Sequence, residues 1–201
     1  MRSTGAIVVV ILVLLVGFAG CAGCGTYNSL VQKDTAVEEA WANVETAYQR
    51  RADLIPNLVS TVQGAADFER TTLQEVVDAR ARATSINISA DDLDDPAAVE
   101  QYLAAQQQLS GALGRLLAVA ENYPQLQATE AFRDLQVQLE GTENRINVAR
   151  TRYNEAVRDY NTSVRSFPAN LFAGLFGFDT RTPFEAEEGA EDAPDVEFQF
   201  D

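Results

Sequence analysis

Two cysteines, Cys21 and Cys24, are the residues of this sequence with the most specific chemistry. Each follows an Ala-Gly pair after an apolar run that reaches Phe18. Small residues directly before a cysteine resemble the cleavage site of bacterial lipoproteins, although neither site has the preferred Leu at its first position. We therefore treat Cys21 and Cys24 as candidate lipidation sites. Because the sequence has no other cysteine, its remainder cannot form a disulfide or a thiolate metal site.

The acidic run over residues 91–95 suggests a calcium site, but its spacing argues against one. It lacks the alternating ligands and the glycine of an EF-hand loop. We interpret it as a solvated loop that ends in a helix cap, Asp95, with Pro96 at the first helical position. Glu38 and Glu39 are adjacent, so on a helix they point to different faces and cannot share a site. We predict no metal site.

The sequence contains few of the residues and motifs that catalytic sites use. There is no histidine, which removes the usual proton shuttle near neutral pH and the commonest metal ligand. No glycine-rich phosphate loop or serine elbow is present. We predict that the protein is not an enzyme and binds no cofactor. The alternative, an unrecognised hydrolase, requires a buried carboxyl group with a strongly raised pKa in a cleft.

One charged cluster interrupts an otherwise apolar helical pattern. It consists of Arg50, Arg51 and Asp53, and Arg51 falls on the apolar stripe itself. We interpret it as an intramolecular ion pair that shields Arg51 between helices, and a functional cluster is the alternative.

The charge balance restricts the partners. The 201 residues include 15 basic and 30 acidic side chains, which give a formal net charge of −15. Such a surface repels nucleic acid and has no electrostatic affinity for anionic lipid, so we exclude nucleic acid as a partner. An apolar fraction of 46% predicts one globular domain, and the length leaves room for a terminal anchor.

Residues 1–25 predict that anchor. Arg2 is the only charged side chain before Lys33, and an apolar run lies between them. Counted to Gly25 the run is long enough for a transmembrane helix, whereas counted to Phe18 it suits a lipoprotein signal. Both interpretations attach the chain to a bacterial membrane bilayer. The positive amino terminus favours a cytoplasmic N-terminus, which places the remaining chain outside the cytoplasm.

The element that organises the rest is a helix predicted over residues 129–167. It contains no proline, and Thr129 is its expected N-cap. A helix of this length extends about 55–60 Å and needs partners of similar length to cover its apolar stripe. Steps of three and four residues place that stripe on one face, and its members are Phe132, Leu135, Leu139, Thr142, Ile146, Ala149, Tyr153, Ala156, Tyr160, Ser163 and Phe167.

Three further segments supply those partners. The first helix covers residues 26–66, with a kink rather than a chain reversal near Pro56. The second begins either at Asp67 or with a capping box formed by Thr72 and Glu75. The third runs over residues 96–122. The expected fold is all-α: an elongated antiparallel bundle of about four long helices.

The bundle domain spans residues 26–168, and two segments follow it. Residues 169–184 are apolar and should fold back over one end of the bundle, while insertion into the bilayer surface is the alternative. Residues 185–201 hold eight acids and no base, which predicts a disordered acidic tail. Within the bundle we expect polar side chains to fix the register of the helices through hydrogen bonds, namely Asn144, Asn154, Asn161, Tyr153 and Tyr160.

Several motifs together resemble the LemA family over about residues 27–184. They are Tyr27-Asn-Ser-Leu-Val31, Ala40-Trp-Ala-Asn-Val44, Arg50-Arg-Ala-Asp-Leu-Ile-Pro-Asn-Leu-Val59, Leu117-Ala-Val-Ala-Glu-Asn-Tyr-Pro124, Thr142-Glu-Asn-Arg-Ile146, Ala149-Arg-Thr-Arg-Tyr-Asn-Glu-Ala-Val157, Tyr160-Asn161 and Phe167-Pro168. The resemblance implies a membrane-attached antiparallel helical bundle with no established enzymatic activity and no catalytic residues to assign. It also implies association with membrane metalloproteases or small envelope proteins, and one branch serves magnetosome membranes.

The predicted function is a non-catalytic, membrane-anchored scaffold of the bacterial cell envelope. Two alternatives stay open: a laterally assembling protein that shapes or builds membranes, and an accessory factor of a membrane metalloprotease. An exposed polar groove that does not fit a second copy of the same chain would favour the scaffold. Concentration-dependent self-association would favour lateral assembly.

Overall fold

The computed structural model describes the backbone of residues 2–64 and 68–184, and all their side chains except those of residues 2–12, 14–22 and 91. Within these residues the chain is all-helical and has no strand, as predicted. A 3₁₀ turn, Ala90–Asp94, precedes the third helix. The six α-helices are α1 Arg2–Gln63, α2 Arg70–Ser85, α3 Pro96–Ala120, α4 Pro124–Gln127, α5 Glu130–Arg165 and α6 Ala169–Phe176.

α5 is the long helix that the apolar stripe predicted. Thr129 caps it, since its hydroxyl oxygen accepts a hydrogen bond from the backbone nitrogen of Phe132 at 3.4 Å. The buried face follows the predicted positions as far as Tyr153 and then includes Val157 and Val164 instead of Ala156 and Ser163. A helix with 3.6 residues per turn drifts away from a strict alternation of three and four, so the buried position moves by one residue.

The C-terminal end of this stripe was predicted wrongly. Phe167 lies beyond the helix and is 81% exposed. α5 ends at Arg165, and Pro168 prevents its continuation.

α1 continues through Pro56 without a chain reversal, as expected. Proline has no N–H, so the carbonyl of Ala52 loses its partner within the helix. Arg80 of α2 replaces that donor, because its Nε donates to the Ala52 carbonyl at 2.8 Å. The broken backbone position of α1 therefore becomes a contact between two helices.

The helix starts were predicted with mixed success. Asp95 accepts a hydrogen bond from the backbone nitrogen of Ala97 at 2.9 Å, and Pro96 occupies the first helical position, as predicted. The capping box at Thr72 was wrong, because α2 begins at Arg70 and Thr72 is buried inside it. The burial of its side chain is incompatible with a cap, which local spacing alone suggested.

Two clusters of buried side chains divide the bundle along its length. The proximal cluster lies nearer the N-terminal part of α1 and contains Leu30, Val37, Trp41, Val44, Tyr48, Val99, Tyr102, Ile146, Tyr153, Val157, Tyr160 and Phe184. The distal cluster lies at the other end and contains Ile55, Leu58, Val62, Leu73, Val76, Leu109, Leu113, Leu116, Phe132, Leu135 and Leu139. Their order along α1, α3 and α5 shows that α1 and α3 run one way and α5 the other. α2 runs with α5, because Phe68 before it contacts Tyr123 after α3, while Ala83 near its end accepts a hydrogen bond from Gln106 in the middle of α3.

The helices differ in length, and this difference shapes the proximal half. α2 has 16 residues and spans about 24 Å, while α5 has 36 residues and spans about 54 Å. α2 consequently covers only the distal cluster. In the proximal half its place is taken by residues 86–95 and by a non-helical segment, residues 178–184, both of which contribute side chains to the proximal cluster.

Among residues whose side chains are described, no helix is both long and apolar enough to cross a membrane. Most side chains of the predicted anchor, residues 1–25, lie outside that set, as does the side chain of Cys21. From Arg2 onward the backbone of this segment is helical and forms the first part of α1. Cys24 is exposed with a free thiol. The predicted acidic tail, residues 185–201, lies outside the described part of the chain.

Candidate functional site

Two asparagines of α5 bind the non-helical segment of residues 178–184, which we call the C-terminal segment. The side-chain amide of Asn161 donates to the carbonyl of Arg181 at 2.8 Å and accepts from its backbone nitrogen at 2.9 Å. Asn154 forms the same pair of bonds with Phe184, at 3.0 Å and 2.8 Å. We call these two pairs the asparagine clamp. Each side-chain amide acts as a neighbouring strand would, since it satisfies one backbone donor and one acceptor.

The distance between the two asparagines along α5 matches the distance between the two residues that they bind. Seven helical residues separate Asn154 from Asn161, a rise of about 10.5 Å. Three residues separate Arg181 from Phe184, and an extended chain covers about 10 Å in that number. The segment is therefore extended between its two clamped residues and runs antiparallel to α5.

Further bonds secure the same segment from the other sides. The hydroxyl of Tyr153 donates to the carbonyl of Thr182 at 2.9 Å, and the Thr182 nitrogen donates to the carbonyl of Leu93 at 2.9 Å. The Arg181 guanidinium pairs with Asp34 of α1 at 3.1 Å. Burial alone would lower the pKa of Arg181, but the charge and hydrogen bond of Asp34 outweigh it, so the pKa is raised.

Aromatic side chains close around the end of the segment. The ring of Phe184 is 4.8 Å from that of Tyr153 and 5.8 Å from that of Trp41, measured between centroids. The guanidinium of Arg150 lies 5.3 Å from the Phe184 ring centre, a cation–π contact. Trp41 also contacts Tyr102 at 5.5 Å. Phe184 is thus an anchor of the proximal cluster as well as a clamped residue.

Arg51 lies where the two clusters meet and is almost fully buried, with 1% of its surface exposed. Its guanidinium pairs with Glu143 of α5 at 2.9 Å. It also donates to Ser110 and to both oxygens of Gln106, so it joins α1, α3 and α5. Among the described residues, none accepts a hydrogen bond from its Nε. The sequence indicated an ion pair here, and the partner proves to be Glu143 rather than nearby Asp53, which accepts from Gln49.

An open groove of about 610 Å³ lies beside Arg51 and Phe184, between α3 and α5. Its lining is mostly polar and includes Gln107, Ser110, Glu143, Asn147 and Arg150. Asn147 is exposed and lies seven residues before Asn154, so α5 carries amide side chains at 147, 154 and 161 on nearly one face. The groove therefore continues the line of the asparagine clamp.

A second groove, of about 490 Å³, lies between α1, α2 and α3 and contains Glu45. Burial raises the pKa of Glu45, and a hydrogen bond with Trp41 partly offsets the rise. A hydrolase would need a buried carboxyl group with a strongly raised pKa, whereas Glu45 is only half-buried. No histidine or thiol can accompany it, because the chain lacks histidine and its cysteines are at 21 and 24.

The acidic run that suggested calcium forms internal bonds instead. Asp92 accepts from the backbone nitrogen of Ser89 at 2.9 Å and from its hydroxyl at 2.7 Å, which lowers the pKa of Asp92. Asp95 is the helix cap already described. In the part of the chain that the structure describes, no three ligand-type side chains are grouped to hold a metal ion.

The asparagines were predicted to fix helix register, and the structure assigns two of them another role. Asn154 and Asn161 bind the C-terminal segment, while Asn144 is exposed. The seven-residue spacing beside the buried stripe was the available signal, because it repeats an amide on one face. Neither the clamp nor the contribution of Phe184 to the core was predicted from the sequence.

Comparisons with known proteins agree on one family. The model of the LemA family matches residues 40–198. Magnetosome protein MamQ 2 of Paramagnetospirillum magneticum is 28% identical over 184 residues, which are 84% of this chain and 67% of that protein. Magnetosome protein MamQ of Magnetospirillum gryphiswaldense is 27% identical over the same coverage. Protein LemA of Metamycoplasma hominis is 23% identical over 164 residues, 82% of this chain and 71% of its own length. This chain belongs to the LemA family.

Proposed function

We propose that this protein is a membrane-attached, non-catalytic scaffold of the bacterial cell envelope that binds extended segments of partner proteins in the groove beside Arg51 and Asn147. Membrane attachment is supported by the apolar N-terminal sequence and by relatives named as magnetosome proteins. The absence of histidine, together with the position of both cysteines near the N-terminus, supports a role without catalysis.

The asparagine clamp is the observation that carries the proposal. α5 already binds one extended segment through the amides of Asn154 and Asn161. Asn147 presents the same group one heptad further along, exposed at the open groove. Binding through backbone groups gives affinity for extended peptides, and the pockets beside the backbone select side chains. Arg150 in this groove favours a partner segment that carries acidic or aromatic side chains.

A photo-crosslinking amino acid at position 147 of the full-length protein, expressed in its own membranes, tests this function. We expect position 147 to capture a discrete protein partner. The same probe at Val137, which is 66% exposed on α5, serves as the control and should capture none. Asn147→Ala should then weaken the purified partner's affinity by about tenfold, the loss expected for one or two hydrogen bonds.

Two results would overturn the scaffold. Equal capture at positions 147 and 137 would show that the groove has no special role. A crosslink from position 147 to residues after Phe184 of the same chain would show that the protein fills its own groove. A membrane metalloprotease among the captured partners would identify the accessory-factor form of the same function.

Lateral assembly in membrane biogenesis is the second candidate, because three relatives are named as magnetosome proteins. Reconstituted full-length protein should then self-associate as its density in the bilayer rises, and its assemblies should remodel liposomes. A single monomeric species at all densities would contradict this function.

A further inference from the structure

α6 exposes large apolar side chains on one side, although its other side packs against the bundle. Leu171, Leu175 and Phe176 are 63%, 74% and 51% exposed, and the preceding Phe167 is 81% exposed. On its other side Ala173 is buried against the bundle. α6 contains no charged residue. Four large apolar side chains exposed within ten residues of chain point to a contact with a partner or a membrane.

The position of α6 identifies that contact. Gly23 of α1 lies against the ring of Phe172, so closely that a Cβ at Gly23 would be 2.9 Å from a ring carbon. Tyr27, one turn further along α1, contacts the rings of Phe176 at 5.0 Å and Phe178 at 5.7 Å. α6 therefore packs beside residues 23–27 of α1. These residues lie at the end of the predicted anchor, residues 1–25.

Both forms of anchor place this level of α1 at the bilayer boundary. A transmembrane helix over the apolar run would leave the hydrocarbon near Gly25, since about 20 residues cross it. A lipid on Cys21 or Cys24 would enter the bilayer at the same height. The backbone of α1 is helical without interruption from Arg2 to Gln63, so Gly23 lies at the end of the anchor and Tyr27 lies within one turn beyond Gly25.

We propose that α6 lies in the membrane interface and inserts Phe167, Leu171, Leu175 and Phe176 between the lipid head groups and the outer acyl chains. The proposal rests on the membrane attachment of the proposed function. The contact is apolar, because α6 has no charge and the chain has a net charge of −15. It consequently needs no anionic lipid and is insensitive to salt. α6 would fix how the bundle stands on the bilayer.

Tryptophan quenching in liposomes of phosphatidylcholine tests this placement. The probes are Leu175→Trp and, as a matched control, Val137→Trp in the full-length chain; residue 137 lies in α5 about 40 Å from the level of α6. Both sites are well exposed, at 74% and 66%, so neither change disturbs the core. The unmodified protein, whose single Trp41 is buried, supplies the baseline.

We expect lipids brominated near the head group to quench Leu175→Trp at least twofold above the baseline, and Val137→Trp to stay at the baseline, at both low and high salt. Co-flotation of the protein with the liposomes is measured in the same samples. Protein that floats with the liposomes while both tryptophans stay at the baseline would overturn the α6 proposal alone. Protein that fails to float would overturn membrane attachment, and the α6 proposal with it.

Discussion

The proximal and distal clusters both fill the interior of the bundle, but they do so with different types of side chain. The distal cluster is built mainly from Leu, Val, Ile and Ala, and side chains of five helices, α1 to α5, contribute to it. The proximal cluster contains Trp41, Tyr102, Tyr153, Tyr160 and Phe184, and non-helical backbone covers part of it. Helices satisfy their own backbone groups, so the distal half needs only apolar contact.

The proximal half has an additional requirement, because irregular backbone brings unsatisfied donors and acceptors into the core. Tyrosine, tryptophan and asparagine carry polar atoms into an apolar environment and meet that requirement. Trp41 Nε1, for example, donates to the carbonyl of Ile88 at 3.4 Å. This difference indicates that the distal half mainly holds the helices together by apolar contact, while the proximal half also fixes the position of residues 178–184.

Replacing Trp41 by Ala should give the largest effect, because it removes a buried indole and the rings packed on it. We expect a loss of about 3–5 kcal/mol in the free energy of unfolding by urea. Leu116→Ala in the distal cluster should cost about 2–5 kcal/mol. Only Trp41→Ala should expose the Arg181–Thr182 bond to trypsin under native conditions. Equal cleavage of both variants would remove the distinction between the two halves.

Arg51→Ala should cost about 3 kcal/mol, because it leaves the buried oxygens of Gln106 without their donor and separates Glu143 from its partner. Urea denaturation measures this loss. Arg50→Ala is the control, since Arg50 is exposed beside Arg51 on the same helix and should change stability by less than about 0.5 kcal/mol. If the two variants are equally stable, Arg51 does not connect the clusters.

Asn161→Ala tests the clamp itself. It removes two hydrogen bonds and leaves the backbone of Arg181 unsatisfied, at a cost of about 1–3 kcal/mol. Trypsin cleavage after Arg181 should accelerate as the segment opens locally. Asn144→Ala, an exposed amide on the same helix, should leave the rate unchanged. An unchanged rate in Asn161→Ala would mean that the aromatic contacts of Phe184 suffice.

Alkaline pH should weaken the proximal half selectively. Burial raises the pKa of Tyr102 and Tyr153, and burial together with the charge of Asp34 raises the pKa of Tyr160 to about 12. Unfolded tyrosines ionise near pH 10, so between about pH 10 and 12 the unfolded state binds fewer protons. The contribution of these tyrosines to the free energy of unfolding is fully present below this window and is lost as the pH rises through it.

Thermal melts across this range, combined with the ultraviolet absorbance of tyrosinate, measure that loss. Tyr102→Phe should reduce the slope of Tm against pH, because it removes one of the groups. A flat profile between about pH 10 and 12 would indicate that the buried tyrosines ionise without cost.

The smallest effect is expected at Glu45. Its pKa is raised by burial, so the folded state binds its proton more readily and the ionised form costs stability near neutral pH. Glu45→Gln should therefore raise Tm slightly at pH 7, and the gain should fade as the pH falls through the folded pKa towards the ordinary value. Glu39→Gln, an exposed control, should show neither change. A gain that persists in acid would assign the effect to packing.

Local signals in the sequence were sufficient for the long helices. The cap at Thr129 and the pair Asp95 and Pro96 are encoded within a few residues, and the structure confirms them. It confirms the apolar spacing of α5 as far as Tyr153. The ion pair of Arg51 was predicted in kind, because a charge on an apolar stripe needs a partner. Its partner could not be named, since Glu143 is 92 residues away.

The clamp could not be predicted because it depends on distance in the fold rather than in the sequence. Asn154 and Phe184 are 30 residues apart, and their pairing requires that α2 be too short to fill the proximal half. The sequence predicted a second helix beginning at Asp67 or near Thr72, but not where its coverage of the bundle would end. Nothing in residues 178–184 themselves indicates that their backbone would be bound by side-chain amides.

The unbroken course of α1 has a mechanical consequence. Residues 26–63 project about 57 Å from the N-terminal segment as one helix, and α5 stiffens them over most of that length. A tilt of about 10° at the base therefore moves the far end by about 10 Å. A small change of slope at the base of the bundle is thus amplified into a displacement of many ångströms at its tip.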